Sequence, residues 1–246
     1  MNRQAQAVVL LLLGGSVLKA SVTDVYLRYV REGLRPFLIA AAVLLVAAAV
    51  MTLWYELRQP DHHHDHHHHD QPEPDDDGHG QHGARVGWLL ILPAVGLLLI
   101  APPALGSYAV NQAGTALTGE ETDHYPPLPP GDPVRLSMLD YAGRAIIDDG
   151  YTLGDRRVRL VAFTAPGSDG APILARMVLS CCAADGRPIK VGMAGDVPTG
   201  LPPDTWVEVV GRYTPQRGSD PVSDVDIPYI RIESWQRIPP PRQPYE

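Results

Sequence analysis

Pro36 to Trp54 reads PFLIAAAVLLVAAAVMTLW, a run without a single charge. As a helix it is long enough to cross a hydrocarbon core of ~30 Å. A second uncharged run, Trp88 to Leu105 (WLLILPAVGLLLIAPPAL), carries Trp88 at a position suited to an interface. Pro93 is expected to kink this span, which neighbouring helices accommodate, and Pro102 and Pro103 end it. A third apolar stretch opens the chain. It lacks a good small-x-small cleavage site before Ala20, because Leu18 occupies the minus-three position. The reading is an uncleaved helix from Ala5 to Tyr26. Lys19 and Asp24 then lie in its second half, snorkelling to the interface or facing a partner inside a bundle.

Two helices in residues 1–56 and a third in 88–107 make a multi-pass membrane protein. Three spans put the loop at 57–87 and the C-terminal residues on opposite sides of the bilayer. Arg28, Arg31 and Arg35 crowd the first short loop, and the positive-inside rule assigns that loop, and with it the C-terminal part, to the cytoplasm. Arg3 and the amino terminus argue the reverse.

The loop holds His62, His63, His64, His66, His67, His68 and His69 among Asp61, Asp65 and Asp70. It has no apolar periodicity, and its prolines and glycines break any helix, so it reads as a disordered connector. Several imidazoles in a short flexible tract can gather around one divalent ion, with Asp65 and Asp70 extending the ligand set. Zinc is the first candidate, with nickel and copper as alternatives. Such a site suits capture, buffering or sensing rather than catalysis, which needs a fixed open coordination position. A solvated polar linker is the bland alternative. The chain's formal net charge of -8 and its scattered arginines argue against nucleic acid as a partner.

Residues 108–133, ending in PPLPPGD, are a linker. Beyond them, 134–246 form a soluble domain. A short amphipathic helix is expected from Leu136 to Asp149. Five strands follow: Arg157–Thr164, Leu174–Cys182, Arg187–Met193, Thr205–Tyr213 and Tyr229–Arg237. Their period-two alternation with turn residues between them predicts a small antiparallel β-barrel, with an OB-fold as the candidate. The fold class is thus an α+β membrane protein: a three-helix transmembrane region followed by that barrel.

Cys181 and Cys182 are the only cysteines and are adjacent. On a strand their side chains would point to opposite faces. Either they serve as thiolate metal ligands or redox-sensitive thiols, with Asp185 close by, or one is a small core residue and the other incidental. Asp148-Asp149 reads as a solvated turn. No nucleophile elbow, Walker loop, dinucleotide fingerprint or HExxH is present, so an enzyme is not expected.

The order of these segments, with PPALGSYAVNQ, VRLVAFT, LSCCAADGRPIKV, TWVEVVGRY and a terminal PRQPYE, resembles the YcgQ-type family of bacterial membrane proteins, described as permease subunits. The most specific part is Cys181-Cys182-Ala183-Ala184-Asp185. The resemblance implies a larger multi-span permease as partner and an extracytoplasmic C-terminal domain, against the arginine count. It brings no established catalytic residues. Association of some members with zinc-responsive regulation fits the histidine loop, and the resemblance adds weight to Cys181 and Cys182 as functional residues. Three functions follow as expectations: a permease accessory subunit that captures metal, a stand-alone metal or redox sensor or buffer, and a membrane-anchored binding module.

Overall fold

The computed structural model describes residues 3–58, 103–117, 125–167 and 170–246. The histidine loop and residues 88–102 of the third expected span lie outside them. The chain divides into two compact units, Met1–Val25 with Gly33–Pro102 and Tyr26–Glu32 with Pro103–Glu246.

Helices α1 (Arg3–Val22) and α2 (Arg35–Arg58) form the first unit. Ala7, Gly14 and Ser21 recur at heptad spacing and are buried, as are Ala42 and Ala49 on α2. Small residues in register let two helix backbones approach closely. A Cβ on Gly14 would sit 2.9 Å from Val46 Cγ2 and 3.2 Å from the Ala42 carbonyl oxygen. Ser21 meets Arg35, whose Nε donates to its carbonyl at 3.1 Å. The pair therefore runs antiparallel. Phe37, Leu44, Met51 and Trp54 stay exposed on the outer face. Residues Glu32–Tyr55 are long and apolar enough to cross a membrane, whereas the apolar part of α1, Gln6–Val22, is shorter.

The first helix ends at Val22 rather than at the expected Tyr26. Ser21 Oγ donates to the Val17 carbonyl at 2.7 Å and Thr23 Oγ1 to that of Lys19 at 2.8 Å. The Lys19 carbonyl also accepts the Thr23 N–H at 3.0 Å, so these hydroxyls share carbonyls with the backbone in the last turn. Asp24 instead opens a 3-10 turn, Asp24–Arg28, in which Tyr26 and Leu27 are buried.

The second unit is built on a closed barrel. Its strands are β1 (Val134–Arg135), β2 (Val158–Pro166), β3 (Pro172–Val178), β4 (Arg187–Gly195), β5 (Trp206–Ser219) and β6 (Asp226–Arg237). The sheet runs β1-β2-β3-β4-β6-β5, and pairing of β2 with β5 closes a ring of five strands. The expected all-antiparallel barrel is corrected at one joint: β4 and β6 pair in parallel, with Gly192 opposite Tyr229. Parity requires it, because directions cannot alternate around a ring with an odd number of strands. The short β1 also lies parallel, on β2.

Alternation sets the core. Leu160, Leu174, Ile189, Val191, Val207, Val209 and Ile230 point inward and are buried. A helix, α4 (Met138–Ile146), covers them with Met138, Tyr141, Ala142 and Ala145. It is shorter than the expected Leu136–Asp149. Ser137 caps its start, accepting from the Asp140 N–H at 2.9 Å. Asp149 adopts φ 47° in the turn beyond its end. Helix α3 (Ser107–Gln112) helps build a second cluster on the barrel's outside, where Val110 packs with Phe163, Ala175, Met177, Leu179 and Tyr245.

One ion pair is fully buried. Lys190 Nζ donates to Asp220 Oδ1 at 3.0 Å, with side-chain exposures of 3% and 0%. Asp220 also accepts the Thr115 N–H at 2.6 Å and the Val222 N–H at 3.0 Å. It thereby ties the α3 segment and the β5–β6 hairpin to β4. Burial alone would raise its pKa, but the Val222 N–H, the Lys190 ammonium and the Thr115 N–H together hold it below the ordinary carboxylate range. A carboxyl lowered in the folded state stabilises at neutral pH, and that contribution is lost as pH falls below ~4. Asp220→Asn leaves Lys190 buried without its counter-charge and is expected to cost about 3–5 kcal/mol. Thermal unfolding of the full chain at pH 7 should show a clear drop in midpoint, and the gap to wild type should narrow in acid.

Candidate metal and thiol site

β3 stops at Val178, four residues short of the expected strand. The chain then trades partners. The Leu179 N–H donates to the Glu246 carbonyl at 3.1 Å, and Cys182 forms an antiparallel bridge with Val30. Cys181 and Cys182 therefore do not sit on a strand with opposed side chains, which corrects the expectation from alternation. They enter a 3-10 turn, Ala183–Asp185. Cys181 is exposed and Cys182 half-buried.

Asp185 organises this turn. Its carboxylate accepts the Ser180 N–H at 3.0 Å, the Cys181 N–H at 2.8 Å and the Cys182 N–H at 3.4 Å. The Cys182 sulfur in turn caps the Asp185 N–H, completing a reciprocal box. The result gathers both Sγ atoms and a carboxylate oxygen within 4.8 Å of one another. Tetrahedral zinc, with bonds of ~2.0–2.3 Å, needs its ligands about 3.3–3.8 Å apart, so modest side-chain rotation suffices. Two thiolates and one carboxylate suit a borderline-soft divalent ion. The backbone N–H groups that orient Asp185 are the outer-shell support such ligands usually have. Three protein donors leave a fourth position for an exchangeable ligand.

Asp185 also sets the thiol chemistry. The Cys181 S–H donates to its carboxylate, and with the neighbouring Cys182 this pushes the Cys181 pKa up to about 12. The same S–H bond, with the backbone N–H groups, holds Asp185 below the ordinary carboxylate range. The hydrogen bond to Asp185 thus favours the thiol over the thiolate at Cys181 despite its exposure. A cation held by Cys181, Cys182 and Asp185 would replace that proton.

The turn is fastened by segments remote in sequence. The Ala183 N–H donates to the Tyr29 carbonyl at 2.7 Å, and the Arg31 N–H to the Cys181 carbonyl at 3.1 Å. Tyr245 Oη donates to the Arg28 carbonyl at 2.8 Å and accepts the Leu105 N–H at 2.8 Å. Glu246 accepts the Met138 and Leu139 N–H groups at the start of α4. Arg176 holds the same tail through the Gln243 carbonyl at 3.0 Å while stacking over Trp206 at 5.3 Å. Beside the turn, a groove of about 540 Å³ is lined by Ser180, Asp185, Arg187, Asp140, Leu117 and Tyr125, among others.

The DUF1980 N-terminal domain matches residues 5–116, and the DUF1980 C-terminal domain matches residues 160–246. The chain belongs to the DUF1980 family. This is a bacterial family of unknown function, and both of its domains are present here in order. No curated protein and no solved structure matches the chain.

Of the residues singled out from sequence, the structure brings Cys181, Cys182 and Asp185 together. His62, His63, His64, His66, His67, His68, His69, Asp65 and Asp70 lie outside the described residues. Asp148 accepts the Thr152 N–H at 2.8 Å, in keeping with a turn. Sequence reasoning missed Tyr29 to Arg31 and Tyr245 as supports of the site. The signals available were the aromatic in PRQPYE and the arginine-rich first loop, which had been read only for membrane orientation.

Asp185→Asn keeps one oxygen acceptor, enough for the Cys181 and Cys182 N–H groups, gives up the one for Ser180, and removes the charge that holds the Cys181 proton. Its Cys181 is expected to alkylate with iodoacetamide at pH 8 at least about tenfold faster than in the wild-type chain. Mass spectrometry of the labelled peptide reads this directly, and equal rates would refute the assigned role of Asp185.

Proposed function

We propose that this chain is an accessory subunit of a membrane permease for a divalent metal such as zinc. In this reading the histidine loop captures metal, and the C-terminal domain acts as receptor or gate through Cys181, Cys182 and Asp185. The observation that carries it is the gathering of two sulfurs and a carboxylate on one turn, a three-donor set to which tetrahedral zinc would add one further ligand. A closed site would suit permanent structural zinc; an open one suits an ion that arrives and leaves.

Other features support the reading. A helix long and apolar enough to cross a membrane precedes the barrel, and the uncharged Trp88–Leu105 run is a further span by sequence. The segment between α1 and α2 pairs with the barrel's cysteine turn. That favours a topology with this segment and the C-terminal domain on one side and the histidine loop on the other, as three spans require. The YcgQ-type resemblance supplies the permease partner and favours the extracytoplasmic side. The strand order, with a parallel joint between its third and fifth barrel strands, supports an OB-like barrel. That architecture commonly binds ligands on its face, although fold alone assigns no function.

The Asp185 carboxylate that holds the Cys181 proton weighs against Cys181 itself as the target of an oxidant, since the thiolate is the form that reacts. A stand-alone metal buffer remains the second reading, favoured by the same three donors.

Affinity capture of the tagged full chain from native membranes in mild detergent tests the proposal, with mass spectrometry and metal analysis on one sample. The expected outcome is a stoichiometric multi-span permease and bound zinc that falls in a Cys181→Ser/Cys182→Ser variant. Recovery alone but zinc-loaded would move the reading to a buffer. Recovery alone and metal-free would leave an anchored binding module.

A further inference from the structure

The cysteine turn and the segment joining α1 to α2 share their backbone bonds. Cys181 uses its carbonyl to receive the Arg31 N–H, and Ala183, directly after Cys182, gives its N–H to Tyr29. Val30 bridges Cys182 itself. The two thiol-bearing residues are thus half of a miniature ladder whose other half is Tyr29 to Arg31. Both halves are anchored from outside. Tyr26 and Leu27 are buried on one flank. On the other, Tyr245 receives the Leu105 N–H and holds the Arg28 carbonyl, while Gln243 donates to Glu32 at 2.8 Å.

We propose that metal binding at Cys181, Cys182 and Asp185 is coupled to the order of residues 28–32, so that occupancy of the turn is transmitted to the connection between α1 and α2. The coupling rests on the metal reading of the turn given above. Ligation fixes the backbone of residues 181–185, because each sulfur reaches the ion through only two side-chain torsions. Fixing that half of the ladder strengthens the bonds to the other half. Tyr29, Val30 and Arg31 are not among the three donors, and the bonds that join them to the turn run through the main chain. The relation is reciprocal by thermodynamic necessity: whatever loosens residues 28–32 weakens metal binding. Tyr245 is then a positioning residue for a site it does not touch.

Cobalt(II) added to the full chain in lipid nanodiscs provides the test, because its sulfur-to-metal charge-transfer band reports thiolate ligation apart from any binding to the histidine loop. Hydrogen exchange is followed on the same samples. The expected result is a charge-transfer band together with Arg31 and Ala183 amide exchange slowed about fivefold or more. Cys181→Ser/Cys182→Ser should show neither change. A band without slowed exchange would overturn the coupling and leave the metal reading standing; absence of the band would overturn both. Tyr245→Phe keeps the buried ring and removes only the hydroxyl. It is expected to weaken cobalt affinity about fivefold with the band shape unaltered, and unchanged affinity would overturn its positioning role.

Discussion

The hydroxyl of Tyr245 joins three stretches of chain that lie far apart in sequence. It accepts the Leu105 N–H ahead of α3 and donates to the Arg28 carbonyl between α1 and α2. Its ring fills the outer apolar cluster against Met177 and Leu179. Because those two residues lead into the cysteine turn, Tyr245 sets where the turn begins. A half-buried polar atom with one donor and one acceptor partner leaves no hydrogen-bonding capacity unanswered there.

The chemistry of the turn follows from a carboxylate serving more than one purpose. Asp185 closes the 3-10 turn through backbone N–H groups and also restrains the Cys181 proton. The same geometry that builds the loop therefore holds the thiol in reserve. A cation that displaced that proton would find the Cys181 sulfur as a thiolate. The restraint operates without burial, since Cys181 is exposed.

Patterns of local origin were legible in the sequence. The uncharged run around Leu44 became α2, the alternation of Val158, Leu160 and Ala162 became β2, and α4 begins within two residues of its expected start at Leu136. What depended on distant partners was not legible. Residues 179–182 continue the apolar pattern of β3, yet they leave the strand because the tail and the first loop compete for their backbone. Nothing in a two-residue period reveals a partner some 150 residues away. The parallel β4–β6 joint was hidden for a different reason, since strand number and closure together decide it and neither is a local property. For the candidate site, the ligand types could be read from Cys181, Cys182 and Asp185, but their convergence could not.

The adjacency of Cys181 and Cys182 reaches beyond the folded state. Most metal centres collect donors from separate strands or helices, so unfolding scatters them and the ion acts as a fold stabiliser. Here two sulfurs remain neighbours in any conformation of the chain. Part of any chelate formed there would survive denaturation, and binding to the unfolded chain subtracts from the stabilisation that a ligand confers. An ion held tightly by this turn would consequently raise the melting temperature by less than its affinity suggests. Only the share of binding that depends on Asp185 and on the ladder to Tyr29 and Arg31 would register as protection against heat.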